Sequence, residues 1–261
     1  PRLTTRVVQW NDVAALEAAL APGDVAAVLA EPVMTNVGIV HPEPGYHDAL
    51  RRATRETGTL LIIDETHTIC AGPRGYTRAA GLDPDVLTIG KAIGSGIPAG
   101  AYGFGEAVAD RIRAANTDLQ VIDVGGIGGT LAGNALSLAA VRATLAHVLT
   151  EESFARMIPL GERWAAGVQA TIDELGLPWH VSRLGCRAEY LFRTELPRNG
   201  AEAAQGIDFE LGQYMHLHAL NRGILLTPFH NMALMSPATT ASDVDRHTAA
   251  FRQAARSLVE A

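Results

Sequence analysis

TLLIIDETHTICAGPRGYTRAAGLDPDVLTIGKAIGSGIPAGAYGF, residues 59–104, decides how this chain folds. It holds two short apolar runs, TLLIID (59–64) and DVLTIG (85–90). Asp64 closes the first and Lys91 follows the second. Runs that are apolar on both faces belong to a parallel sheet covered by helices on both sides, since a strand with one wet face alternates instead. VAAVLA (25–30) reads the same way and ends at Glu31. AGAYGF (99–104) is a further strand, expected as an antiparallel partner. VAALEAAL (13–20) and PGYHDALRRATRETG (44–58) carry the period of amphipathic helices, with Pro44 suited to a first turn and Gly58 to a stop. This alternation of strand and helix gives an α/β fold with a mostly parallel, doubly wound sheet.

Working outward, TTRVVQW (4–10) reads as a buried strand. Pro1 stands where a chain would begin with Met, so the natural protein is expected to continue upstream. NALSLAAVRATLAHVL (134–149) is a long helix, and a second starts near Ser153, a residue type suited to an N-cap, and runs to Gly176. The texture then changes. GCRAEYLFR (185–193) and ILLTP (224–228) read as strands, FELGQYMHLHALNRG (209–223) and ASDVDRHTAAFRQAARSLVE (241–260) as helices. We therefore expect a large domain over 1–150 and a smaller α+β domain over 151–261.

Composition excludes several classes. The chain has 261 residues, 48% of them hydrophobic, which is enough for a substantial core. A formal charge of −7 with scattered cations leaves no basic footprint for nucleic acid. No apolar run approaches a membrane span, and no signal peptide opens the sequence. Cys70 and Cys186 are too few for a disulfide framework and point to a reducing, cytoplasmic setting. His216 and His218 sit two apart, on different faces of a helix, and His67, His180, His230 and His247 have no ligand spacing, so no metal site is expected. Gly94-Ser95-Gly96 lacks the Lys-Ser/Thr of a nucleotide loop; its expected use is close passage of the backbone beneath a ligand.

In open α/β sheets ligands gather at the carboxyl ends of strands, which is where Asp64, Lys91 and Glu31 lie. An amine and a carboxylate at adjacent strand ends are the two groups that pyridoxal phosphate needs: the lysine forms the Schiff base and the carboxylate keeps the pyridinium nitrogen protonated. Displaced from the cofactor, Lys91 can act as general acid–base on the substrate carbon. Lys91 is the only lysine of the 261 residues.

Residues 31–104 resemble the class III pyridoxal phosphate-dependent aminotransferases, and within them the glutamate-1-semialdehyde aminomutase branch. GGTLAGNALSLAAV (128–141) adds a second match, to that branch's Gly-Thr-Leu-x-Gly-Asn signature. The resemblance implies a fold-type I transferase in which Lys91 carries the Schiff base and Asp64 partners the pyridine nitrogen. Thr66 would pack on the ring, while His67 and Asn36 would approach its phenolic oxygen. Thr130 would reach the cofactor phosphate of the neighbouring subunit, which implies a homodimer. The family's phosphate cup and ring-stacking aromatic lie upstream of these residues. In PFHNMALMSP (228–237), where many members place an arginine and the aminomutases a glutamate, this chain has Phe229, His230, Asn231 and Met232. That wall favours an apolar amine or β-amino acid as donor to a keto or aldehyde acceptor, with Phe229 and Met232 touching the substrate and Arg187 as the candidate for its carboxylate. An aminomutase on the same scaffold is the runner-up. A cofactor-less interaction protein derived from the fold is a third reading.

Overall fold

The computed structural model describes residues 4–115, 131–227 and 230–260. Strands β1 (Ala27–Ala30), β2 (Leu60–Asp64), β3 (Val86–Gly90) and β4 (Gly100–Phe104) form one sheet in that order. The first three are parallel, with Ala30 opposite Ile63 and Asp64 opposite Thr88, so their carboxyl ends share one edge. β4 returns antiparallel to β3, as expected, with Gly90 opposite Gly100. Helices α1 (Val13–Leu20) and α2 (Tyr46–Glu56) bury Leu16, Leu20, Leu50 and Ala53 against Leu61 and Ile63. Each fully buried Leu or Ile of such a cluster contributes about 1.5–3 kcal/mol. The start of β3 is fixed electrostatically. Asp85 takes a two-pronged bond from Arg51 on α2, at 2.8 and 2.9 Å, and a third from the Leu61 N–H at 2.7 Å. The Arg51 guanidinium holds the Asp85 carboxyl below its ordinary range.

Short α3 (Gly75–Ala79) and α4 (Glu106–Ala115) follow β2 and β4. The described chain resumes at Leu131 and enters α5 (Ala135–His147), whose N-cap Asn134 accepts from the Ser137 N–H. Then come α6 (Glu151–Leu175), α7 (Gly200–Ala204), α8 (Phe209–Leu220) and α9 (Ala241–Val259), with a second, antiparallel sheet of β5 (His180–Leu184), β6 (Arg187–Leu191) and β7 (Met232–Leu234). Trp164, Tyr190 and Phe251 fill the space between this sheet and α6 and α9; Tyr190 meets Phe251 edge-on at 5.1 Å. Val33, Ile39 and Cys70, from the first half of the chain, join the same core.

The β5–β6 hairpin is seated on the loop after β2. Its turn residue Gly185 has φ +56°, and a Cβ there would fall 2.1 Å from the Cys70 carbonyl oxygen. The Cys186 N–H donates to that same oxygen at 3.0 Å. Only glycine permits this approach, and it brings β6 to the edge where Asp64 ends.

Four local expectations are corrected. Residues 4–10 form no strand: Val7 is 95% exposed, and Arg6 turns aside to take Asp24 at 2.6 and 2.7 Å and the Ala19 carbonyl. ILLTP is no strand over its described residues 224–227; the third strand comes later, at Met232–Leu234, where Glu189 and Ala188 supply the pairing. Ser153 is not the cap of α6, because Thr150 precedes it and accepts from its N–H. Pro44 lies before the first turn of α2, with left-handed Gly45 at the N-cap.

Candidate active site

β2 and β3 end side by side, and each delivers one charged group. Asp64 is the last residue of β2, and its Oδ1 accepts the Thr66 N–H at 2.8 Å, which folds the carboxylate back over its own turn. Oδ2 accepts nothing among the described residues. The turn is held from below by buried Glu65, which accepts from Thr68 Oγ1 at 2.5 Å, the Tyr76 N–H at 3.2 Å and the Thr77 N–H. Gly75 is required there, since a Cβ on its positive-φ backbone would lie 2.8 Å from Glu65 Oε2.

Lys91 follows β3 directly. Its φ is +43°, in the left-handed region that a non-glycine residue enters at a cost of about 1–3 kcal/mol and only where its surroundings hold it. The Gly-rich turn behind it is pinned by α5: Thr144 Oγ1 donates to Ser95 Oγ at 2.9 Å and Ser137 Oγ to the Pro98 carbonyl at 2.8 Å. Helix α5 thus reaches the turn behind the lysine through Ser137 and Thr144. Lys91 makes no ion pair among the described residues, and its Nζ lies 2.8 Å from Nε2 of His67.

From His67 the polar contacts continue. Nδ1 lies 2.8 Å from Thr35 Oγ1, Thr35 donates its hydroxyl proton to Glu31, and Asn36 Nδ2 donates to the other Glu31 oxygen at 3.0 Å. The Thr35 carbonyl accepts from Arg187 Nη2 at 2.7 Å. Arg187 pairs with Glu189 at 3.0 Å, both side chains at most 5% exposed, and Glu189 Oε1 meets His230 Nδ1 at 3.0 Å. Burial and the charges of Lys91 and Arg187 push the His67 imidazole down to about 4, so it is neutral at neutral pH.

The structure thus brings Asp64, Thr66, His67, Asn36, Lys91 and Arg187 into one polar patch. Thr130 and Phe229 lie outside the described residues. Met232 stands opposite Glu189 and lines a cleft of about 250 Å³ with Trp164, Leu226, Leu234 and His247; Asp64, His67 and Lys91 are not among its walls. The wall expected to lack charge has one within reach, because Glu189 and Arg187 stand behind His230. Thr35 and Glu189 were not singled out from the sequence. The signal for Glu189 was the pair Arg187-x-Glu189 inside an otherwise buried strand. Thr35 had no comparable signal.

The group that this chemistry calls for fits the ring end of the patch. Among the described residues, a carboxylate with a free oxygen, an amine with no anionic partner and a glycine edge at Gly90 occupy adjacent strand ends. Among the described residues no group of three or more His, Cys, Asp and Glu is arranged to hold a metal ion, and no helix is long and apolar enough to cross a membrane.

Comparison with known proteins agrees with this geometry. The aminotransferase class III profile matches residues 5–254. A solved glutamate-1-semialdehyde aminomutase from Pseudomonas aeruginosa is 55% identical, with a TM-score of 0.93 over 96% of this chain and 56% of that one. The β-phenylalanine aminotransferase of Variovorax paradoxus is 28% identical, with a TM-score of 0.83 over 95% and 56%. Among curated relatives, a glutamate-1-semialdehyde 2,1-aminomutase of Halalkalibacterium halodurans is 36% identical over 97% of this chain and 58% of its own length. The chain therefore spans somewhat over half the length of the relatives it matches. With the strand-end amine and carboxylate in place and the profile covering nearly every residue, the chain belongs to the class III aminotransferase family and carries its pyridoxal phosphate-dependent fold.

Proposed function

We propose that the protein moves an amino group through pyridoxal phosphate attached at Lys91. One observation carries this reading: Lys91, which meets no carboxylate among the described residues, sits one strand from Asp64, whose Oδ2 accepts nothing from them and can meet a ring nitrogen. When bound, the cofactor supplies an electron sink for the pair released as a substrate C–H bond breaks. The chain's own residues do the rest. Asp64 would hold a proton-bearing nitrogen by a charge-assisted bond. Thr66 would offer a methyl to the ring face. His67 and Asn36 would stand near the phenolic oxygen, and Lys91 would take up the proton released from the substrate carbon as general acid–base. Arg187 is the candidate for a substrate carboxylate, with Phe229 and Met232 as apolar neighbours. Thr130 is proposed to serve the phosphate of a partner copy in a homodimer, and the buried cysteines suit the cytoplasm. The division at residue 150 stays our working domain boundary.

For the substrate, the aminomutase reading is favoured by the names of the relatives and by the buried Glu189–Arg187 pair behind His230. Transfer from an apolar amine or β-amino acid to a keto or aldehyde acceptor rests on the described residues 230–237, none of which is charged apart from the titratable His230. The test uses the full-length protein. Borohydride should fix the cofactor at Lys91, and a donor panel with one acceptor should rank glutamate-1-semialdehyde against aryl and alkyl amines. Preference for the amines would return the assignment to a transaminase. A full-length protein that takes up no cofactor would leave only the interaction-protein reading.

A further inference from the structure

The cluster at the β2 edge contains a proton count that fixes one tautomer. Thr35 has a single hydroxyl proton, and it goes to Glu31. Glu31, as a carboxylate, only accepts, and its other oxygen already takes Asn36 at 3.0 Å. The second contact of Thr35 Oγ1, 2.8 Å to His67 Nδ1, must then carry its hydrogen on the imidazole. His67 is a neutral ring protonated at Nδ1, and its Nε2 is a bare lone pair. That lone pair faces Lys91 Nζ at 2.8 Å.

We infer that His67 is the positioning residue of Lys91: held in one tautomer by Thr35 and Glu31, it accepts a hydrogen from the ε-amine and thereby turns the amine's own lone pair away from the imidazole and towards the strand-end opening beside Asp64. The inference rests on the proposed attachment of the cofactor at Lys91. Two features of the surroundings support it. Lys91 sits in a strained left-handed conformation with no acid on its head among the described residues, and His67 is the described group that meets its amine. Thr35 is fully buried, so the support beneath His67 does not move with solvent. A protonated His67 would have no lone pair to take a hydrogen from Lys91, and the charges around it settle which form is present. Lys91, Arg187 and His230 oppose protonation, Asp64 favours it, and Glu31 lies 3.9 Å from Nδ1. Burial adds to the cations, and the ring stays neutral.

The experiment uses the full-length protein reconstituted with pyridoxal phosphate and follows how fast borohydride fixes the cofactor at Lys91, located by peptide mapping, across pH. His67→Leu removes the acceptor, and His67→Gln restores an acceptor at similar reach. Thr35→Val keeps the shape at Thr35 but frees the tautomer. Loss of one hydrogen bond between neutral groups, about 0.5–1.5 kcal/mol, predicts fixation slowed roughly two- to tenfold in His67→Leu with a displaced pH midpoint, recovery to near the wild-type rate in His67→Gln, and an intermediate rate in Thr35→Val. Wild-type rate and midpoint in His67→Leu would overturn the inference. So would equal slowing in the Leu and Gln variants with an unmoved midpoint, which marks a merely structural histidine. Absence of fixation at Lys91 in the unmodified protein would instead overturn the cofactor reading on which the inference stands.

Discussion

His67 and His247 are both driven down to about 4, yet they do opposite things. His247 lies on α9 against Trp164, ring centroids 5.0 Å apart, with Nδ1 buried and unbonded; burial alone lowers it. His67 lies on the turn after β2 with Lys91 on one nitrogen and Thr35 on the other, and fixed cations add to burial. The same displacement marks a packed core in one region and a directed contact in the other. A shifted titration therefore identifies a site only together with the partner it faces. The same contrast separates the two cations nearby. Lys91 is exposed and meets no acid among the described residues, whereas Arg187 is buried against Glu189.

The largest expected effect breaks the reactive half alone. Lys91→Ala should abolish borohydride-fixable cofactor and amino-group transfer, with no substitute lysine in these residues. Its urea midpoint should change little, because an exposed head whose one described polar contact is to neutral His67 contributes little to stability. A variant that still fixed cofactor within 1–261 would remove the assignment.

Arg187→Ala should do the reverse first. It strands Glu189 in a site 2% exposed, and breaking a buried pair from one side costs about 3–5 kcal/mol. Chemical denaturation measures this. Replacing both partners, Arg187→Met with Glu189→Leu, should recover most of it. If the single variant is as stable as the wild type but raises KM for carboxylate substrates, Arg187 belongs to the substrate rather than to Glu189.

Asp64→Asn comes next. The cofactor should stay bound while turnover falls, since a charge-assisted hydrogen bond is worth about 1.5–3 kcal/mol, or roughly ten- to hundredfold in rate. Unchanged kcat would show that Oδ2 faces no ring nitrogen.

The two halves also differ in how much of them the sequence displays. Asp64 and Lys91 could be read because apolar runs on both faces announce parallel strands, and ligand groups collect where such strands end. The contacts of His67 could not, since Thr35 lies 32 residues away and reaches it only through tertiary packing. β5 was missed for a related reason. His180 and Ser182 are buried polar residues in HVSRL, with His180 Nδ1 2.7 Å from the Arg193 carbonyl, so no apolar alternation betrays the strand. ILLTP misled in the opposite sense: Leu225 is 80% exposed and the run pairs with nothing among the described residues.

The smallest effect tests the histidine comparison itself. His247 is neutral in the folded protein down to about pH 4, while its unfolded counterpart titrates near 6.5. Below 6.5 the unfolded chain therefore binds a proton that the native one refuses. The stability this group contributes is complete above that value and is lost as pH falls towards 4, at up to about 1.4 kcal/mol per pH unit, with no further loss beneath it. His247→Leu removes the titrating group from the same apolar surroundings. Between pH 7 and pH 5 its urea midpoint should fall less than that of the wild type, though His41, His47 and His180, also lowered by burial, keep some acid sensitivity in both. His67→Leu should flatten the acid slope as well, since burial and the neighbouring cations lower its imidazole to the same value. The two substitutions part at Lys91: His67→Leu should slow borohydride fixation of the cofactor, whereas His247→Leu should leave it at the wild-type rate, and slowing by both would erase the contrast between the two regions.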